Sequence, residues 1–327
     1  MESLISVIVC TYNQERTIGR TLDSILMQQC HVPIEIIIGE DCSTDRTLAI
    51  CQQYAQQHPD IIRLIANKHN KGLVDNYFDC LLACRGEYIA DCAGDDFWVD
   101  DLKLEKEVTI MEADQSITLV HTAWRSYNEI TKIATDSPSQ PFPNPVTEGH
   151  DMLEAVITQT RMPVVVLCTA LYRASAILQA YHANTQLFRN KQWNCEDLQI
   201  VFFLAMKGRI AYLPDVTLHY SQGQETISNS NDSRKQFLFQ KQTAMLSYLL
   251  SEAYQIKGKK VDRFFQQRSF ALLMHAFRLH DHTLRADAID CAREWKVRHT
   301  LPFRLVTIIT SNDFFWSLAL YLRKQIR

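Results

Sequence analysis

The chain has 327 residues, 46% apolar and 22% charged, with a formal net charge of −3. That length can bury one large core or two modest ones, and the composition is ordinary for a globular protein. The balance of charge excludes a strongly basic nucleic-acid binder, though not a local basic patch, so no nucleic-acid partner is expected.

Residues 4–10 (LISVIVC) are nearly continuous apolar and β-branched, the pattern of a strand covered on both faces. A helix follows, with Ile18, Leu22, Ile25 and Leu26 at helical spacing. Residues 34–38 form a second strand. Ser43 or Thr44 then caps a helix carrying Leu48, Cys51 and Ala55, with Asp45 near its positive end. Residues 61–65 read as a third strand, 74–82 as a helix and 87–92 as a fourth strand. This alternation predicts an α/β fold with a doubly wound, mostly parallel sheet. Beyond Asp96 the regularity loosens. A helix is expected over 103–113, strands over 117–121 and 164–172, and a proline-punctuated loop over 138–145. A helix over 196–206 and a short strand over 209–213 follow. From about Ser233 onward the pattern is helical, with Gly258 and Pro302 as breaks.

Ten cysteines are scattered without a CxxC, several inside apolar patterns. Buried free thiols in a reducing compartment are the expectation, with a disulfide framework or zinc site as the alternative. No basic n-region or cleavage site precedes Leu4, and no apolar run approaches the roughly 18 residues that span a bilayer. A cytoplasmic protein is expected, or one that touches the inner face of a membrane.

Three acidic pairs carry the chemistry. Glu40-Asp41 and Asp95-Asp96 each follow a strand pattern, and Glu196-Asp197 opens a helix. Carboxylates at the carboxyl ends of parallel strands are where an open sheet holds a metal and a nucleotide diphosphate. No GxGxxG or GxxxxGK[ST] is present, so phosphates would be neutralised by a divalent cation on carboxylates. Cys10-Thr11-Tyr12-Asn13 ends the first strand, where Tyr12 can stack on a base and Asn13 can fix the turn; a plain strand-end turn is the alternative. Capping accounts for Ser43, Thr44 and Asp45 but not for Glu40-Asp41, which precede the cap. A carboxylate there can accept a hydrogen bond from a base imide or a ribose hydroxyl. Asp95 and Asp96 repel each other unless a cation or solvent relieves them, and their hard oxygens suit Mg²⁺ or Mn²⁺.

Together these segments resemble the inverting glycosyltransferases of family 2, of the bacterial surface-polysaccharide type, which have the GT-A fold. SVIVCTYN at 6–13 is similar to the family's first-strand signature, and EDCSTD at 40–45 to its DDGSTD element. RGEYIADCAGDD at 85–96 resembles the lead-in to its metal motif, Asn70-Lys71-Gly72 its Asn-x-Gly loop, and Cys195-Glu196-Asp197-Leu198 its GEDxEL helix, followed by the strand RIAYLPDVTLHY. The resemblance covers roughly residues 1–225, leaving 226–327 as a helical carboxyl-terminal extension.

The resemblance implies a nucleotide-sugar donor, a UDP-sugar in the first instance, and a glycan or lipid-linked glycan acceptor. Asp41, with Tyr12 and Glu15, is expected on the base and ribose, with Thr11 and Asn70 completing the nucleotide site. Asp95 and Asp96 are expected on the metal and the sugar nucleotide, and Asp197 is expected to be the catalytic base. Trp193 and Glu196 fall on the acceptor side, and His219 is a further candidate metal ligand. Two departures stand out. Ala93 occupies the position of the family's usual first acid, and Cys42 replaces the glycine of DDGS, which is tolerable if that turn has negative φ. The carboxyl-terminal stretches 263–278 and 301–327 mix aromatic and basic residues, a composition suited to an anionic membrane surface or to helices packed on the catalytic domain. The rival readings are a nucleotidyltransferase, which would want a Gly-rich basic loop where Gln14-Glu15-Arg16 stands, and a non-catalytic binding relative, hinted at by Ala93.

Overall fold

The computed structural model describes residues 4–137, 144–159, 165–193, 195–222 and 232–325. Most of the proline-rich stretch at 138–145 therefore lies outside the described residues. The chain divides into two compact units: Met1–Lys191 with Cys195–Gln224, and Gln192–Asn194 with Glu225–Arg327.

The first unit runs β1 (Ile5–Thr11), α1 (Ile18–Leu26), β2 (Ile34–Glu40), α2 (Thr47–Gln57), β3 (Ile62–Ala66), α3 (Leu73–Ala83), β4 (Tyr88–Asp91), β5 (Phe97–Trp98) and α4 (Lys103–Ala113). It continues through β6 (Ile117–Asn128), β7 (Ile133–Asp136), β8 (Val146–Glu148), α5 (Gly149–Thr158), β9 (Ala170–Arg173), α6 (Ala174–Ala183), α7 (Thr185–Phe188), α8 (Asp197–Lys207) and β10 (Arg209–Gln222). One sheet of order β3-β2-β1-β4-β9-β6-β10-β5 organises it, with β7 on β6 and β8 on β10. The four strands β3, β2, β1 and β4 are mutually parallel, and β6 is parallel to β10. β9 lies antiparallel between β4 and β6.

Alternation along β1 explains why it is apolar throughout. Val7 and Val9 join α1 (Ile18, Leu22, Ile25) and α4 (Leu104, Val108, Met111) in one core layer. On α3, Phe78 contacts Tyr181 and Phe188, and Phe188 contacts Phe203, at ring centroid distances of 5.2–5.5 Å. Helices on both faces leave a strand such as β1 no solvent side, and a continuous apolar run results.

Two elements differ from the sequence reading. The strand expected over 164–172 is a 3-10 turn at Leu167–Thr169 followed by the short β9; the Thr169 hydroxyl donates to Val166 O at 2.7 Å and curls the backbone. The strand expected to stop at Leu213 continues as β10 to Gln222, with register shifts against β6 between Leu213 and Val216 and between Val216 and Leu218. Those irregularities absorb Pro214, which has no N–H for the ladder.

The second unit is helical: α9 (Ser233–Ala253), α10 (Lys259–Leu279), α11 (His282–Glu294), α12 (Leu301–Ile309) and α13 (Asp313–Gln325). Phe237, Phe265, Leu272, Leu273, Ala288 and Trp295 centre its core. Asp232 caps α9 and Asp281 caps α11 through their carboxylates. Pro302 does not break a helix but sits in the first turn of α12, where its missing N–H has no partner to lose. Among the described residues, no single helix is long and apolar enough to cross a membrane.

Candidate functional site

The end of β1 gathers the loops that carry the acids. Asp41 N donates to Thr11 O at 3.0 Å, and Gly94 N donates to Cys10 O at 3.1 Å. The turn after β1 is laced to the turn after β2: Asn13 N donates to Ser43 Oγ at 2.9 Å, Thr44 N to Asn13 Oδ1 at 2.8 Å, Glu15 N to Asp45 Oδ2 at 3.1 Å and Arg46 N to Glu15 Oε2 at 3.0 Å. Ser43 and Thr44 therefore do not cap α2 as the sequence reading expected. Their groups are spent on Asn13, and Asp45 takes Thr47 N instead, at 2.9 Å. Thr11 is buried, with its hydroxyl donating to Gln14 Oε1 at 2.8 Å, while Tyr12 is 45% exposed and free to offer a ring face. Gly94 is required by close approach, since a Cβ there would lie 2.4 Å from Gln14 Oε1 and 2.7 Å from Thr11 Oγ1.

Asp41, 4% exposed, is the anchor of a second loop. Its Oδ1 accepts from Asn67 Nδ2 at 3.0 Å and Lys71 N at 2.8 Å, and its Oδ2 accepts from Gly72 N at 2.9 Å. Asn70, exposed, also accepts from Gly72 N, at 3.0 Å. Gly72 holds φ at 83°, a conformation that favours glycine. Beside it Cys42 has φ of 61°. The condition that would leave cysteine unstrained, a negative φ, is not met: the turn keeps the left-handed backbone of a glycine with a cysteine in it, a strain of about 1 kcal/mol.

Asp95 and Asp96 follow β4 and differ in their commitments. Asp96 is 2% exposed, and its Oδ1 accepts from Ser221 N of β10 at 2.8 Å. Asp95 is half-buried beside Gln14, Glu129 and Arg20. Burial pushes both carboxyls above the usual range, and Asp95 raises Asp96 further. Arg20 partly compensates: its Nη2 donates to Asp95 O at 3.0 Å and Glu129 Oε1 at 2.6 Å, with its guanidinium 3.9 Å from the Phe97 ring centroid. Against the pull of burial, hydrogen bonds from Arg20, Lys132 and Ser221 hold Glu129 down at about 2. His219 lies across from Phe97 in the β5–β10 ladder and stacks on Tyr127 at 5.5 Å. Burial, then Arg125 and Arg20, lower its pKa and keep the imidazole neutral, and its Nδ1 is buried without a hydrogen-bond partner. Neutral imidazole and hard carboxylates suit Mn²⁺ or Mg²⁺. Among the described residues Asp95, Asp96 and His219 do not bring three ligand atoms within 4.8 Å of one another, whereas Cys30, His31 and Glu105 do, as do His280, His282 and Asp313.

On the α3 and α8 side a third group of acids collects. Asp91, the last residue of β4, is 5% exposed, and neither carboxylate oxygen has a hydrogen-bond partner within normal distance. Burial lifts it to about 7, against the Tyr77 and Tyr172 hydroxyls and Lys103, and Asp197 adds to the rise. Glu196 is lifted to about 8 by burial and by Asp197. Asp197, at the first position of α8, is exposed, and packing around its carboxyl raises its pKa. The Cys10 thiol is pushed up by its hydrogen bond with Cys80 and by burial, with Glu196 and Asp91 contributing. Trp193 is only 3% exposed, with its indole N–H unpartnered; its ring face is not open to solvent.

The sequence pattern of the family described as Glycosyl transferase family 2 matches residues 6–179. The chain belongs to this family. EpsE of Bacillus subtilis (strain 168), named as a glycosyltransferase, is 38% identical over 154 residues, 47% of this chain and 55% of EpsE. The uncharacterized protein Rv1520 of Mycobacterium tuberculosis (strain ATCC 25618 / H37Rv) is 41% identical over 115 residues, 35% of this chain and 33% of that protein. The match thus spans a third to about half of these relatives' own length. A structure of TarS 1-349 from S. aureus, in complex with UDP-GlcNAc, has a TM-score of 0.53 at 17% identity, covering 89% of this chain and 90% of that one. The mannosyltransferase PcManGT from Pyrobaculum calidifontis, in complex with GDP-Man and Mn²⁺, has a TM-score of 0.55 at 16% identity, covering 98% and 87%. These likenesses show the GT-A fold.

In this family 2 chain, sequence reasoning passed over Asp91, Gln14 and the Arg20–Glu129 pair. Asp91 carried a signal, since a charged residue interrupts the apolar run of β4. Gln14 and Glu129 carried none, because their roles come from loops brought together across 75 residues or more of chain, as with Arg20 and Asp95.

Proposed function

We propose that this chain is an inverting glycosyltransferase, moving a sugar from a nucleotide-diphosphate donor, a UDP-sugar, to a hydroxyl of a glycan or lipid-linked glycan during assembly of a bacterial surface polysaccharide. The reading is supported by the loops of Asp41 and Asp95, whose backbone bonds the end of β1, and by the charge of Asp197 acting on Asp91 at the end of β4. The donors held by TarS and PcManGT are both nucleotide-diphosphate sugars, which supports the donor class. The names of EpsE and TuaG, the latter a teichuronic acid biosynthesis glycosyltransferase, support the setting. In this reading the enzyme works in the cytoplasm, free or peripherally at the inner face of the membrane.

In this reading the exposed Tyr12 ring covers the base. The loop that Asp41 holds, Asn70 to Gly72, closes the nucleotide site beside Thr11 and Glu15. Asp95 would hold Mg²⁺ or Mn²⁺, with Asp96 and His219 alongside; the cation offsets charge on the departing diphosphate. Asp197 takes the proton from the acceptor hydroxyl, and its raised pKa brings a carboxylate closer to the basicity this needs. Glu196 lies on the acceptor side, while Trp193, being buried, offers no open ring face to an acceptor sugar.

The test is a panel of nucleotide sugars scored for Mn²⁺-dependent hydrolysis and transfer, with titration of UDP alongside. Asp197→Asn should lower transfer by about 10²–10⁴-fold while UDP binding with Mn²⁺ stays unchanged. Transfer at the parent rate would remove Asp197 as the base, and UDP binding indifferent to Mn²⁺ would remove the metal.

A further inference from the structure

Within the helical unit, α11 behaves as a surface helix should. Leu284, Ala288, Cys291 and Ala292 are buried, while Asp290, Arg293 and Glu294 face solvent. α12 and α13 do not follow that rule. Each has an inward anchor: Phe303 is 2% exposed, and Trp316 is fully buried with its Nε1 donating to Phe277 O at 2.9 Å. Their outward faces are nevertheless apolar too. On α12, Leu301, Leu305 and Ile308 are 70%, 50% and 67% exposed, one stripe at i, i+4 and i+7. On α13, Phe314, Phe315 and Leu318 are 71%, 56% and 43% exposed, and Tyr321 and Leu322 extend the same stripe a turn further. Helices apolar all round are normally covered, and exposed apolar patches of this kind mark an interaction surface.

The occupant is indicated by shape and charge. α12 and α13 have 9 and 13 residues, each too short to span a bilayer, and they meet at a bend of 114°. Such a pair can lie in an interface but cannot thread a membrane as one rod. Residues 226–327 hold 17 of the chain's 34 Lys and Arg but only 8 of its 37 Asp and Glu. Arg298 and Arg304 are exposed beside the stripes, and the one acid of the two helices, Asp313, is engaged by His282 at 2.9 Å. A second copy would bring two such basic units together, whereas an anionic lipid surface complements them.

We propose that α12 and α13 dock this chain onto an anionic bilayer, with Leu301, Ile308, Phe314 and Phe315 inserted at the headgroup boundary. The surface stands apart from the glycosyl-transfer reading; only its use, access to a lipid-linked acceptor, rests on that reading. The test is co-sedimentation of the full chain with phosphatidylcholine vesicles containing or lacking phosphatidylglycerol. Binding is expected to the anionic vesicles alone and to weaken with salt. The combined variant Phe314→Ser, Phe315→Ser, Leu318→Ser should bind at least tenfold more weakly with unchanged melting temperature and UDP binding. Arg298→Gln and Arg304→Gln should each lower binding roughly fivefold. As a check that needs no loss of function, Phe315→Trp should gain blue-shifted emission on anionic vesicles. No sedimentation with anionic vesicles, or undiminished binding by the triple variant, would overturn the proposal. So would a dimer in solution that the triple variant abolishes, which would assign the surface to a second copy.

Discussion

The two sides of the strand-end edge are built on opposite principles. Around Asp41, each carboxylate oxygen is met by a backbone or amide N–H, and the turns after β1 and β2 are tied by reciprocal hydrogen bonds. Around Asp91, Glu196 and Asp197, burial and neighbouring acids raise the carboxyls; Asp91's oxygens lack a partner at normal distance, while Asp197 accepts from Leu198 N at 3.0 Å. Satisfied polar networks rigidify a site, whereas unanswered buried acids are an electrostatic strain kept in place by the rest of the fold. The first side is held rigid by its hydrogen bonds; on the second, burial and neighbouring acids lift Asp91 to about 7 and Glu196 to about 8.

The comparison breaks most sharply at Asp91. Its pKa is near 7 in the folded chain against 3.8 for the free side chain, so protonation is favoured by folding. Stability from this group is fully present below pH 3.8 and is lost as pH rises through about 7. Asp91→Asn removes that loss. Measured by urea unfolding, the variant's advantage over the parent should grow by on the order of 4 kcal/mol between acidic pH and pH 8. A difference that does not vary with pH would show that Asp91 finds a donor and that the two sides are alike.

Asp41→Ala tests the satisfied side. It strips the acceptor from Asn67, Lys71 and Gly72 and should cost about 3 kcal/mol. Hydrogen exchange at the Lys71 and Gly72 amides should speed up, and unchanged protection there would mean the loop is held by something else. The smallest effect is at Cys42. Cys42→Gly relieves a side chain in the left-handed region and should raise stability by about 1 kcal/mol. A lower melting temperature would show that the thiol contributes more than the backbone strain removes.

Much of the first half could be read ahead of the structure. The strands β1, β2, β3 and β4 stand within a residue or two of their expected bounds, because continuous apolar runs between helical patterns have few other ways to be covered. Of the acids, the position of Asp41 after β2 and Asp95 after β4 followed from strand ends. Their hydrogen-bond partners did not: Ser221 on Asp96 and Asn67 on Asp41 lie 125 and 26 residues away. Ser43 looked like a cap because its local sequence permits one, and only the neighbouring turn shows that Asn13 takes its hydroxyl instead.

By itself, then, the order of residues determined the layering of the first unit and which acids end which strands, since periodicity decides what shares a face. Tertiary structure alone decided which of those acids are answered and which are left bare, whether Cys42 is strained, and that the apolar stripes of α12 and α13 meet water. Periodicity says which side chains point the same way, but whether that side is covered depends on what the rest of the chain brings to it.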